Sequence, residues 1–81
     1  MRLDKFLKVS RIVKRRTVAN EMAAAGRVEV NGKRAKPGTE VKASDILTIG
    51  YGEKQIRVRI LHVREYVKKE EASSLYEVLT G

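Results

Sequence analysis

The sequence predicts a small α+β domain: two short N-terminal helices packed on a small, twisted antiparallel sheet, with a further helix at the C-terminus. Three observations carry this prediction. Apolar residues recur at helical spacing between Arg2 and Ala25, the period changes to alternation immediately after Gly26, and Asn31-Gly32 stands between two alternating runs. Asn-Gly in that position is the strongest short signal for a hairpin, because both residues tolerate positive φ. With 81 residues the chain is near the lower limit for an independent core, so a single domain is expected. Apolar residues make up 42%, with one Phe, three Tyr and no Trp, so Val, Ile, Leu and Ala must fill that core.

In the first segment, Leu3, Phe6, Leu7 and Val13, with small Ser10 between them, share one stripe and predict a helix over Arg2 to Val13. Lys5, Lys8, Arg11 and Arg15 fall on a different arc of that helix, and Arg2 and Arg16 flank the stripe. Val18, Met22 and Ala25 predict a second helix stopped by Gly26. Its start is expected at Thr17, a suitable N-cap, or as early as Lys14 or Arg15. The alternating runs Arg27 to Val30 and Lys33 to Lys36 form the hairpin strands, and Pro37-Gly38 ends the second. Strands follow at Ile46 to Ile49 and Gln55 to Val63, with His62 in the second alternation as a partly buried structural residue. Ala72, Leu75 and Leu79 return to helical spacing, predicting a helix over Lys68 to Leu79.

The formal net charge is +8, and its distribution is uneven. Residues 1–16 carry seven Lys or Arg against one Asp, whereas residues 43–81 carry six of each sign. A surplus confined to the N-terminal half points to one face that docks on a polyanion, with the back half as scaffold. The run Lys14-Arg15-Arg16 lies at the positive end of the second helix, where backbone N–H groups already favour an anion. Arg2, Lys5, Lys8 and Arg11 extend it into a stripe, and Arg suits phosphate because its planar fork donates bidentately. Asp4, the single acid of that stripe, is placed to orient a neighbouring Arg or Lys. Lys33 and Arg34 are expected as additional contacts, while Asn31-Gly32 makes the turn.

Other chemistries lack their parts. With no cysteine and one histidine there is no disulfide, no thiolate metal site and no nucleophile with a base, so no catalytic residue, metal or cofactor is expected. Gly50-Tyr51-Gly52 lacks the Gly-Lys-Ser pattern of a phosphate loop and reads as a strand connection. No apolar run approaches the roughly 20 residues of a spanning helix, so a cytoplasmic protein away from the membrane is expected. Few aromatics lie among the basic residues, which favours structured RNA recognised by shape and phosphate over stacked single strands. Duplex DNA is less well served, since no recognition helix with base-reading side chains is evident. A basic module for an acidic protein partner is the competing class.

Arg2-Leu3-Asp4-Lys5-Phe6-Leu7, then Lys14-Arg15-Arg16-Thr17, then Gly26-Arg27-Val28-Glu29-Val30-Asn31-Gly32-Lys33 resemble the RNA-binding domain family named after small-subunit ribosomal protein S-four. The resemblance implies the αL fold, with the domain over residues 1–65 and a helical tail over 66–81. Members with pseudouridine synthase or tyrosyl-tRNA synthetase activity carry a separate catalytic domain. Among stand-alone members, the tail from Lys68-Lys69-Glu70-Glu71-Ala72 to Leu75-Tyr76 resembles the bacterial ribosome quality control P-factor group. The related ribosome-associated heat-shock group carries a longer basic extension. The quality control resemblance implies binding to rRNA and peptidyl-tRNA on an obstructed large ribosomal subunit, beside the tailing factor RqcH, during untemplated alanine addition; a monomer is expected. Roles in large-subunit recycling or assembly are the alternatives. By motif position, Arg2 and Arg16 are the leading contacts, supported by Lys5, Lys8, Arg11, Lys14 and Arg15.

Overall fold

The computed structural model describes residues 1–80. Helices α1 (Leu3–Val9) and α2 (Arg16–Ala24) precede strands β1 (Val28–Val30), β2 (Lys33–Arg34), β3 (Ile46–Tyr51) and β4 (Lys54–Ile60). A 3-10 helix (Lys69–Leu75) then leads into strand β5 (Tyr76–Thr80). The strands form one antiparallel sheet in the order β2-β1-β3-β4-β5. Leu3, Phe6 and Leu7 of α1 and Ala19 and Ala23 of α2 pack against Val28, Leu47, Ile49, Val58 and Ile60 of the sheet.

At seven residues, α1 is too short to be stable alone, so tertiary contacts must hold it. Its first two N–H groups, which have no partner within the helix, find one in the loop after β2: Leu3 donates to the Thr39 carbonyl at 2.8 Å and Asp4 to the Pro37 carbonyl at 3.1 Å. The N-terminal ammonium pairs with Glu40 of the same loop. This helix ends four residues earlier than its spacing predicts. Ser10 donates its hydroxyl to the Leu7 carbonyl, and Arg11 turns into the left-handed region at φ 62°. Val13 stays in phase with the apolar stripe, and is buried, because its N–H folds back onto the Leu7 carbonyl at 3.0 Å.

Helix α2 starts at Arg16 with Arg15 as an extended N-cap, so Thr17 lies inside it and caps nothing. It ends as its sequence predicts. Gly26, at φ 79°, donates to the Ala23 carbonyl while Arg27 donates to the Met22 carbonyl, the paired bonds of a Schellman motif.

Asn31 and Gly32, at φ 52° and 83°, form the turn between β1 and β2. Asn31 does more than turn the chain. Its amide donates to Asp45 Oδ1 at 3.1 Å and accepts from the Ile46 N–H at 3.0 Å, so the hairpin tip is bolted to the start of β3. Burial pushes the Asp45 carboxyl up, but hydrogen bonds from Asn31 and from the Lys42 backbone and side chain outweigh this and lower it. Asn31→Ala is expected to cost about 1–3 kcal/mol in urea unfolding, because it strips partners from buried groups. RNA affinity of the folded variant should hold; loss of binding at unchanged stability would make the tip a contact surface.

The C-terminal segment departs most from expectation. Ala72 and Leu75 are buried, but their three-residue spacing belongs to the 3-10 helix, and the predicted α-helix to Leu79 is replaced by strand β5. Tyr76 to Thr80 is rich in residues that favour strands, and it pairs with an edge of β4 that would otherwise lie open. Gly81 lies outside the described residues. β4 ends at Ile60, so His62 stands beyond the strand and is exposed rather than partly buried. Gly52 and Glu53 connect β3 to β4, in keeping with the strand connection read from Gly50-Tyr51-Gly52.

Candidate nucleic-acid interface

The N-terminal ends of α1 and α2 meet at Asp4. Its carboxylate is 3% exposed and accepts from Arg2 Nε at 3.2 Å, Arg16 Nη2 at 3.4 Å and Asn20 Nδ2 at 3.3 Å. Arg16 and Asn20 reach it together because residues four apart share a helix face. Burial pushes the Asp4 carboxyl up; hydrogen bonds from Asn20 and Arg16, the Arg16 charge and a bond from Arg2 reverse this and hold it below the ordinary aspartate range. The two arginine side chains remain 54% and 46% exposed. Each guanidinium has five N–H donors, so Asp4 fixes one side of the fork and leaves the rest facing solvent. A buried anion thus holds two cations in place without neutralising both.

Helix α2 adds to the positive field. Its first turn holds no acidic residue and its N-cap supplies no side-chain acceptor, while Arg15 and Arg16 stand at the end where the helix dipole is positive. This arrangement is unfavourable for the isolated domain and favourable for one carrying an anion there.

The turn between the helices is built tightly. Arg11 donates its N–H to the Lys8 carbonyl, Ile12 donates to Ser10 Oγ at 3.5 Å, and Tyr51 of β3 donates its hydroxyl to the Ile12 carbonyl at 3.3 Å. Burial, and to a lesser degree Tyr76, raises the Tyr51 hydroxyl pKa. Arg11 occupies the left-handed position where glycine is relaxed and other L-residues are strained by roughly 1–2 kcal/mol. A side chain kept in spite of that strain points to a use for it. Arg11→Gly is therefore expected to raise unfolding stability by about 1 kcal/mol while weakening RNA binding. Parallel thermal melts and binding titrations would detect these opposite signs.

The other expected contacts divide into groups. Lys8, Arg11 and Lys14 line one concavity with Tyr66 and Lys69, and no ion pair engages any of these cations among the described residues. Lys5 is half-buried and pairs with Glu65 at 2.6 Å, which lowers the Glu65 carboxyl through that hydrogen bond and charge. Arg11 and Arg15 do not share an arc of α1, as the spacing predicts, because the helix has already ended; with Lys14 they are exposed on the turn and the α2 N-cap. Lys33 and Arg34 are exposed on edge strand β2. Arg34 lies against Gly26, where an added Cβ would come within 2.9 Å of its guanidinium. That places it beyond the far end of α2, a helix of nine residues that rises about 13 Å from its start at Arg16. Asn20, Tyr66 and Lys69 join these groups without having been singled out in the sequence.

Among the described residues, no group of three or more His, Asp or Glu side chains is placed to hold a metal ion. No helix there is long and apolar enough to cross a membrane.

The pattern of the S4 domain family matches residues 1–47, and the chain belongs to that family. Its relatives narrow the comparison. The RQC P-site tRNA stabilizing factor of Halalkalibacterium halodurans is 60% identical over 78 residues, spanning 96% of this chain and 89% of that protein. The factor of the same name from Listeria innocua is 54% identical over 79 residues, spanning 98% of this chain and 86% of that protein. Among solved structures, the trimeric Heat Shock Protein 15 of Vibrio cholerae superposes with a TM-score of 0.89 at 32% identity, covering 98% of this chain and 81% of that one.

Proposed function

We propose that the chain is an RNA-binding factor of bacterial ribosome quality control. It binds rRNA and peptidyl-tRNA on obstructed large ribosomal subunits, where it steadies the tRNA while RqcH extends the stalled chain with alanines. It works by binding, without catalysis of its own, in the cytoplasm. The observation that carries the reading is the Asp4 cluster, which presents two half-exposed arginines beside an uncapped, cationic helix end. The near full-length identity to relatives named for P-site tRNA stabilization supplies the ribosomal context.

In this reading Arg2 and Arg16 are the leading contacts, with Lys8, Arg11, Lys14 and Arg15 supporting them. Lys5 contributes if it exchanges Glu65 for a phosphate, and Lys33 and Arg34 extend the surface along β2. Residues 1–65 form the S4-type unit, to which residues 66–80 add an edge strand. Monomer is the proposed acting state. The Vibrio cholerae neighbour is described as trimeric, and sedimentation equilibrium at micromolar concentration distinguishes the two.

The test is sucrose-gradient sedimentation of tagged chain from cells, with crosslinked RNA sequenced from each fraction. Co-migration with free large subunits, with crosslinks to rRNA and tRNA, is the expected result. Absence from every ribosomal fraction would remove the quality control reading and leave a generic RNA-binding domain.

A further inference from the structure

Tyr66 is 80% exposed in a chain with few aromatic residues. The backbone on either side of it is held in place. Val63 and Val67 pack against the core, the Leu61 and His62 N–H groups donate to the Leu75 carbonyl, and Glu65 is tied to Lys5 of α1. A side chain so exposed within so anchored a segment presents an aromatic face at a defined place. That place is the rim of the concavity which also gathers Lys8, Arg11, Lys14 and Lys69. Glu65 is the one acid there, and Lys5 already engages its charge.

The chemistry of the pair selects the ligand. The concavity holds about 220 Å³, below the roughly 300–1,000 Å³ of small-molecule pockets, so it suits part of a larger molecule. An aromatic face beside several cations complements a nucleotide, which joins a flat ring to a phosphate. An acidic peptide would use the cations and leave the ring idle. Structured RNA offers such groups at bulges and loops, whose splayed bases stack on aromatic side chains.

We propose that this concavity is a subsite for one unstacked nucleotide of the bound RNA, its base stacked on Tyr66 and its phosphate held by Lys8, Arg11 and Lys14. The inference rests on the RNA-binding reading above and deepens it: the arginines at Asp4 take phosphates of the structured region, and the Tyr66 subsite selects RNA with a base out of the stack. Arg11 contributes here from its strained backbone position.

Because the chain has no tryptophan, Tyr66→Trp in the full-length protein gives a reporter confined to the subsite. It is titrated with an RNA duplex carrying one unpaired adenosine, the same duplex fully paired, adenosine monophosphate alone, and poly-aspartate. The bulged duplex should quench the emission and the paired duplex should leave it nearly unchanged. In the otherwise native chain, Tyr66→Ala should lower affinity for the bulged duplex about 5- to 150-fold, the range for stacking of one base, with no change for the paired duplex. Tyr66→Phe should retain binding, and melting temperatures should match throughout because the side chain lies outside the core.

Equal affinity of Tyr66→Ala and the native chain for the bulged duplex, with Arg16→Ala still weakened, would overturn the subsite and leave RNA binding intact. A response to adenosine monophosphate as strong as to bulged RNA would overturn it in favour of a free nucleotide, and a stronger response to poly-aspartate in favour of a protein partner. Failure of the native chain to bind either duplex would overturn both this inference and the RNA-binding reading.

Discussion

Asp4→Asn is expected to reduce both stability and RNA affinity, although it raises the net charge by one. Asparagine fits the space, but its Nδ2 would face donors from Arg2, Arg16 and Asn20, which need acceptors. The two arginines are half-exposed and can turn to water, so the loss is smaller than for a fully buried pair: about 1–3 kcal/mol in urea unfolding. The pH profile carries a second signature. The folded-state carboxyl lies below the ordinary aspartate value, so its contribution is complete well above that value and fades as pH falls through the lower folded one. Asp45, lowered in the same direction, adds to the acid loss. Asp4→Asn should therefore flatten the profile in part, with most of the deficit visible at neutral pH and the gap to the native protein closing in acid. For RNA, Arg2 and Arg16 would have to be ordered on binding, at about 0.5–1.5 kcal/mol for each side chain. A rise in affinity instead would mean that total charge, not the held geometry, governs binding.

Arg2→Ala and Arg16→Ala are each expected to weaken RNA binding by about 1.5–3 kcal/mol, as for hydrogen bonds to a charged group. Each should also reduce the slope of log affinity against log salt by roughly 0.7–0.9. Stability should fall by only about 1 kcal/mol, because Asp4 keeps Asn20 and the other arginine. The double variant should lose more than the two singles combined in stability, since neither arginine is left to compensate the shared, buried carboxylate. Chemical unfolding and titrations at several salt concentrations separate the two effects. Equal losses in stability and binding would make the arginines structural supports.

Which features were legible in the sequence follows from how local their causes are. The end of α2 and the β1–β2 turn depend on Gly26, Asn31 and Gly32, whose backbone preferences act over a few residues, and all three adopt positive φ. The role expected of Asp4 was also legible, because Arg2 lies two residues away and it is the one acid among the early cations. The end of α1 was not. Val13 remains in phase with Leu3, Phe6 and Leu7 although it lies past the helix, so an apolar stripe alone conceals the turn at Arg11. The C-terminal strand is concealed for a related reason: Ala72 and Leu75 satisfy helical spacing, whereas the pairing of Tyr76 to Thr80 depends on an open edge of β4 distant in sequence. Lys5 with Glu65, and Tyr66 beside Lys8, Arg11 and Lys14, are juxtapositions of the folded chain that no local pattern announces.

The central claim is that the face built from the N-terminal ends of α1 and α2, and the turn between them, lies on RNA. Ultraviolet crosslinking of the chain bound to obstructed large subunits that carry peptidyl-tRNA, with the attached residues mapped by mass spectrometry, tests it most directly. The account predicts nucleotide adducts between residues 2 and 16, on rRNA and tRNA, that diminish in Arg2→Ala and Arg16→Ala. Adducts confined to β3 and β4, with residues 2–16 unmodified, would contradict it.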